Sequence, residues 1–176
     1  MYNQKTNTFT FNYDKAIQSL LYVTKEVHNL YNIVKVFYFA DKLHLSRYGR
    51  FIFGDKYIAM PKGPVPSNIY DILKFIRGEQ NAFKDEELKK MITYKSDKEI
   101  KANIEANVDF LSETDIECLN ESIKKYGDQH HSSLFRKSHD EAYKTTPLNG
   151  TIKLEKIVET LDNSKEVKEY LDKIYA

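Results

Sequence analysis

The sequence has one cysteine, Cys118, no tryptophan, and only 4 prolines and 6 glycines in 176 residues. A single thiol excludes an internal disulfide and a cysteine-based zinc site. No apolar run approaches the roughly 20 residues that a membrane-spanning helix needs. Residues 1–10 lack the apolar stretch of a secretory signal, and Lys5 is their one basic residue. An excess of one charge is missing too: 27 Lys and Arg stand against 26 Asp and Glu, for a net charge of +1. That balance argues against a domain dedicated to nucleic acid, which usually carries net basic charge. What is present, 41% hydrophobic and 13% aromatic residues, suffices for one well-formed core. The composition predicts a soluble, cytoplasmic protein without a membrane segment.

The near-zero net charge is unevenly spread. Residues 42–78 hold 7 basic and 2 acidic side chains, and residues 79–121 hold 6 basic and 12 acidic ones. Opposed patches of this kind orient a protein partner; solvated faces of ordinary elements produce the same pattern.

Residues 1–11 read as a polar arm or short edge strand, with Thr8-Phe9-Thr10-Phe11 alternating. Asn12 offers a helix cap, and Ala16, Ile17, Leu20, Leu21, Thr24 and Val27 follow at helical spacing, predicting a helix over 13–27. A second helix over 30–47 is apolar all round, which places it at the centre of the domain, with Lys35, Asp41, Lys42 and His44 expected at its edges. Gly49 is a natural left-handed stop. Phe51-Ile52-Phe53 and Tyr57-Ile58-Ala59-Met60 flank Gly54-Asp55-Lys56 and predict a β-hairpin. Pro61, Gly63, Pro64 and Pro66 then predict a shaped loop rather than a strand, because proline has no amide donor. A third helix follows from Pro66 or Ser67 to Gly78. Residues 84–91 are compatible with a short helix, and 92–94 with 100–104 with a minor strand pair. Ser112-Glu113-Thr114-Asp115 starts a helix that ends at Gly127. Short helices at 131–138, 152–161 and 164–174 complete the chain. The expected fold is mainly α (α+β): a compact helical domain around a buried central helix, with a small hairpin. Its expected division is an arm (1–11), a domain (12–150), and a C-terminal helical appendage (151–176) packed on that domain.

Candidate chemistry is sparse. The 5 histidines include the adjacent His130 and His131, which point apart on a helix, and His139 eight positions on. That spacing does not make a metal site, and no metal or cofactor is expected. Asp41 and His44 lie three apart on one helix, within reach of each other, but without a nucleophile beside them. Cys118 lies beside an apolar helix face and reads as a core thiol. No Gly-Lys-Ser/Thr phosphate loop occurs. Lys42, Arg47, Arg50, Lys56 and Lys62 interleave with Tyr48, Phe51 and Tyr57, a mixture suited to nucleic acid or to a protein interface.

Two blocks carry a resemblance. The first runs Tyr38-Phe39-Ala40-Asp41-Lys42-Leu43-His44-Leu45-Ser46-Arg47-Tyr48-Gly49-Arg50 and continues Gly54-Asp55-Lys56-Tyr57-Ile58-Ala59-Met60-Pro61-Lys62-Gly63-Pro64-Val65-Pro66-Ser67 to Tyr70-Asp71. The second comprises Leu111-Ser112-Glu113-Thr114-Asp115, Tyr126-Gly127, Leu134 and Ser138-His139. Together they resemble the Panacea domain of the SocA-like antitoxins, also met as phage-associated proteins, over about residues 13–147. Tyr143 stands where that family tends to carry tryptophan, so one aromatic replaces another. The resemblance implies a non-enzymatic antitoxin that neutralises a cognate protein toxin by direct binding. The expected partner surface is Arg47, Arg50, Tyr57, Lys62 and Val65, with His139 and Tyr143 nearby. Gly63, Pro64 and Pro66 would shape the loop, and Tyr38, Asp41 and Gly49 would determine the fold. Alternatives are a DNA-binding operon regulator resting on the Lys42–Lys62 run, with weak DNA binding, a protease adaptor using the arm and the Tyr175-Ala176 end, or a stand-alone phage-associated interaction protein. A hydrolase would need Asp41, His44 and His139 to converge.

Overall fold

A computed structural model of the chain describes residues 2–3 and 8–174. Residues 1 and 4–7 of the arm and the Tyr175-Ala176 end lie outside the described residues. Strands β1 (Tyr2–Asn3) and β2 (Thr8–Phe9) pair antiparallel ahead of helix α1 (Tyr13–Thr24). The Asn12 side chain accepts from the Lys15 amide, as expected of an N-cap. The helix stops three residues before the sequence pattern does; Val27 stays in the core from the following turn.

Helix α2 (Leu30–Tyr48) runs through the middle of the molecule. Ile33, Val36, Phe37 and Ala40 pack into one apolar cluster with α1, and Tyr38 and Leu45 into a second. Gly49 ends it at φ 67, and the Tyr170 ring occupies the space a Cβ there would need. The expectation that its polar residues sit at the edges fails for three of the four. Lys35, Asp41 and His44 are buried, because helices and strands close over α2 on every side and each group meets a partner there.

The hairpin lies one strand later than its sequence pattern suggests. Phe51, Ile52 and Phe53 are buried but irregular, and the ladder pairs β3 (Tyr57–Met60) with β4 (Gly63–Pro66). The prolines fit because strand residues alternate sides. The Ser67 amide donates back to Lys56 O at 2.8 Å, so the odd positions face β3 and the missing amides of Pro64 and Pro66 fall on the side away from β3, where the Pro64 carbonyl meets Lys35 of α2. β7 (Thr151–Ile152) joins the other side of β3, giving the order β4-β3-β7.

Helix α3 (Ser67–Ile76) follows β4 directly, and Pro66 gives it no side-chain cap. Asp55 supplies one from a distance: it accepts from the amides of Asn68 and Ile69, each at 3.0 Å. After α4 (Leu88–Met91), β5 (Ile92–Ser96) and β6 (Glu99–Ala102) form the minor strand pair. Ser112 and Asp115 close a reciprocal capping box on α5 (Glu113–Tyr126). Along the α2–α5 contact the Ser122 hydroxyl donates to Val36 O at 2.7 Å and Phe39 stacks on Tyr126. Helices α6 (His131–Ser138), α7 (Glu141–Lys144), α8 (Leu154–Glu159) and α9 (Ser164–Ile174) complete the α+β arrangement. Among the described residues, no helix is long and apolar enough to cross a membrane.

Candidate functional site

The hairpin tip, α2 and the α6–α7 corner meet around Gly63. This residue has φ 96, and a Cβ placed on it would lie 2.9 Å from Lys35 Nζ, 2.9 Å from Ser138 Oγ and 3.1 Å from His139 Cε1. Glycine is required twice over, by conformation and by space. The Lys35 amine donates to Pro64 O at 2.8 Å and lies 5.0 Å from the centroid of the Tyr31 ring. Burial pushes this amine down to about 7. A lysine from the central helix thus satisfies an outward carbonyl of the β4 edge strand.

Asp140 ties the same region together. Its carboxylate accepts from the Tyr38 hydroxyl at 2.8 Å and the Lys42 amine at 2.7 Å, and its other oxygen caps α7 through the Tyr143 amide. The Tyr143 hydroxyl donates to Met60 O at 2.9 Å, so the aromatic at this position keeps a hydrogen-bond donor. The structure therefore gathers Lys62, Gly63, Pro64, His139 and Tyr143 at one corner. Lys62 is exposed, His139 and Tyr143 are half-buried, and Gly63, Pro64, Val65 and Pro66 are buried.

The remaining candidates lie elsewhere. Tyr57 is only 1% exposed, and its hydroxyl donates to Asp41 at 2.7 Å. Asp41 also accepts from the Ile52 amide at 2.7 Å, and its burial raises the carboxyl to about 7. Arg50 lies 3.1 Å from Asp115, a buried carboxylate that also meets Lys15 and, at 3.2 Å, His44. Burial would push Asp115 up, but hydrogen bonds from His44, Lys15 and Ser112 hold it well below the usual carboxylate range. Nδ1 of His44 donates to Arg50 O at 3.0 Å, so His44 and Asp41 serve different partners rather than each other. Arg47 bridges Glu117 at 2.7 Å and Glu121 at 2.8 Å on α5.

Much of the basic run is thus spent inside the molecule. Lys42, Arg47, Arg50, Lys74 and Arg77 all pair with carboxylates of this chain, whereas Lys56 and Lys62 make no ion pair among the described residues. Three of them, Arg47, Arg50 and Arg77, pair with carboxylates of the acidic stretch 79–121, whereas Lys42 reaches Asp140 and Lys74 reaches Asp71. Asp41, His44 and His139 are engaged with three separate sets of partners. Cys118 is buried, and desolvation pushes its thiol up to about 11. Among the described residues, no group of three His, Cys, Asp or Glu side chains is placed to hold a metal ion.

Sequence reasoning missed Lys35 and Asp140. Lys35 carried a signal, a cation inside an otherwise apolar helix; Asp140 carried only its place before a short helix. No curated protein and no solved structure matches this chain. The family described as antitoxin SocA-like, Panacea domain, matches residues 33–144, more than half of the sequence, from the first turn of α2 through the α6–α7 corner. The chain belongs to the SocA-like, Panacea-domain antitoxin family.

Proposed function

We propose that the protein is an antitoxin that neutralises a cognate protein toxin by direct, non-catalytic binding through the corner formed by the hairpin tip and α6–α7. Family membership supports a role in a toxin–antitoxin system in general. The observation that carries the finer reading is Lys62, a cation without an ion-pair partner among the described residues, held beside His139 and Tyr143 on a corner fixed by Lys35 and Asp140. A preorganised surface lowers the ordering cost of association. Arg47 lies on another face, over α5, and Tyr57 and Val65 support the hairpin from within. Arg50 is half-buried against Asp115 and holds the start of α5.

Co-expression with the product of the adjacent gene tests the reading. Growth restored from toxicity, together with a complex that co-purifies, is the expected result. A non-toxic neighbour and no co-purifying partner would remove the proposal. The internal pairing of the basic run leaves operon binding without a coherent cationic face, so a gel shift at low salt is expected to be negative.

A further inference from the structure

His131, Phe135 and His139 recur every four residues along α6 and its C-terminal cap and so share one face. Tyr31 at the start of α2 extends this row, stacked on His131 with ring centroids 4.0 Å apart. Phe135 stacks on His139 at 3.7 Å, and Tyr143 meets His139 edge-on at 4.1 Å. His131 is exposed, and Phe135, at 39%, is among the exposed large hydrophobics of the described residues.

Stacking has an electrostatic consequence. An aromatic ring is negative on its faces and positive on its edges. The faces that meet within the pairs Tyr31–His131 and Phe135–His139 are hidden, while His131 and Phe135 lie near-parallel with centroids 6.4 Å apart, so the row presents edges and that one wider gap to solvent. The charges around it have the same sign. Helix α6 contains no carboxylate. Among the nearest acids, Asp140 is held by Tyr38 and Lys42, and Glu141 by Lys144; Asp128 precedes the helix by three positions. Arg136 on α6 and Lys62 at the hairpin tip make no ion pair among the described residues, and both are exposed. A single-stranded nucleic acid would need free ring faces on which to stack its bases, and the two close pairs of this row use the faces that meet within them.

We propose that the ring row of α6, flanked by Arg136 and Lys62, is a recognition strip for an acidic segment of a protein partner. The inference rests on the toxin-binding reading and adds the chemistry of the surface that the toxin presents. Protons are linked to it. Nδ1 of His139 donates to Phe135 O at 2.6 Å, which leaves Nε2 as the titrating nitrogen. Burial, with Lys35 and Lys144 nearby, holds this imidazole below its ordinary value against the opposing pull of the Phe135 carbonyl and Asp140. Carboxylates arriving opposite the row favour the imidazolium, so binding tightens as pH falls through the histidine range.

The probe is fluorescein-labelled poly-L-glutamate, followed by anisotropy against the full chain at pH 6 and pH 8. The wild type is expected to bind more tightly at pH 6. Phe135→Ser and Arg136→Glu should each weaken binding by roughly tenfold. Both positions are exposed, and an unchanged thermal melt verifies the fold. Equal polyglutamate binding by wild type and both variants, or no binding by the wild type, overturns the inference. So does a single-stranded oligonucleotide of equal charge that binds more tightly and is lost with Phe135→Ser. The two proposals fail separately. A neighbouring toxin that co-purifies equally with wild type and Phe135→Ser removes the strip and leaves the antitoxin reading standing. Ring-dependent polyglutamate binding without any toxic neighbour does the reverse.

Discussion

Replacing Gly63 by valine tests the corner most directly. The residue sits at φ 96, where a β-branched side chain costs about 1–3 kcal/mol in backbone strain. Its new Cβ would also lie 2.9 Å from Lys35 Nζ. The Lys35 amine is buried and bonded to Pro64 O, so moving it leaves a buried donor or acceptor unmatched, at about 1–3 kcal/mol. Since the two terms partly relieve each other, Gly63→Val should destabilise by about 3 kcal/mol. In a chain of this length that lowers Tm by about 6–12 °C. The measurement is a double-mutant cycle by urea denaturation, with Gly63→Val made in the wild-type and Lys35→Met backgrounds. Without the amine to displace, the valine should cost at least about 1 kcal/mol less. A Gly63→Val protein that melts with the wild type refutes the backbone argument. Equal cost in both backgrounds refutes the role given to Lys35.

The remaining predictions follow from the other buried charges and from the surface. Asp41 titrates at about 7 in the fold against an ordinary 3.8, so the folded chain keeps a proton that the unfolded chain releases between those values. Stability should therefore fall as pH rises from about 4 to 7, and Asp41→Asn should flatten that fall in urea titrations. Lys35 acts in the opposite direction: with its amine lowered from 10.5 to about 7, stability rises with pH between those values, and Lys35→Met should remove that rise. Asp115→Ala strands Lys15, His44 and Arg50 around an empty site and should cost roughly 3 kcal/mol, read as a loss of urea midpoint. Lys62→Glu should leave Tm nearly unchanged, because an exposed charge contributes little to stability. Toxin association, followed by stopped-flow fluorescence, should slow in that variant; an unchanged association rate removes Lys62 from the recognition surface.

Local signals were the legible ones. Asn12, Gly49 and the Ser112–Asp115 box act on backbone within four residues of themselves, so their patterns can be read without knowing the fold. The central position of α2 was legible for the same reason, since a helix apolar on all sides must be covered. The hairpin was misplaced because the aromatic and β-branched run Phe51-Ile52-Phe53 reads as a strand, while Pro64 and Pro66 argue against one. Only the hydrogen-bonded register shows that both prolines fall on the side away from β3. Long-range partners were not legible. Asp140 lies 98 residues from Lys42, and Glu117 lies 70 from Arg47, and no spacing rule connects such positions. The charge alternation between residues 42–78 and 79–121 was visible in the sequence. Its use, internal pairing between α2 and α5, depended on how the two helices pack. At the candidate site, the Gly-Pro loop and Ser138-His139 could be found as motifs, whereas the lysine beneath them could not.

The prolines of β4 limit how another chain can approach. That edge is already covered, because residues 63–66 are buried against α2, and at Pro64 and Pro66 it has no amide donor to offer an incoming strand. The Pro64 carbonyl, its complementary acceptor, already receives the Lys35 amine. Backbone pairing, which is nearly indifferent to sequence, is thereby blocked on this side of the sheet. A toxin that approaches here must be recognised through side chains. Changes of partner can then be accommodated by substitution at exposed positions such as Lys62, Phe135 and Arg136, while the hairpin beneath them stays as it is.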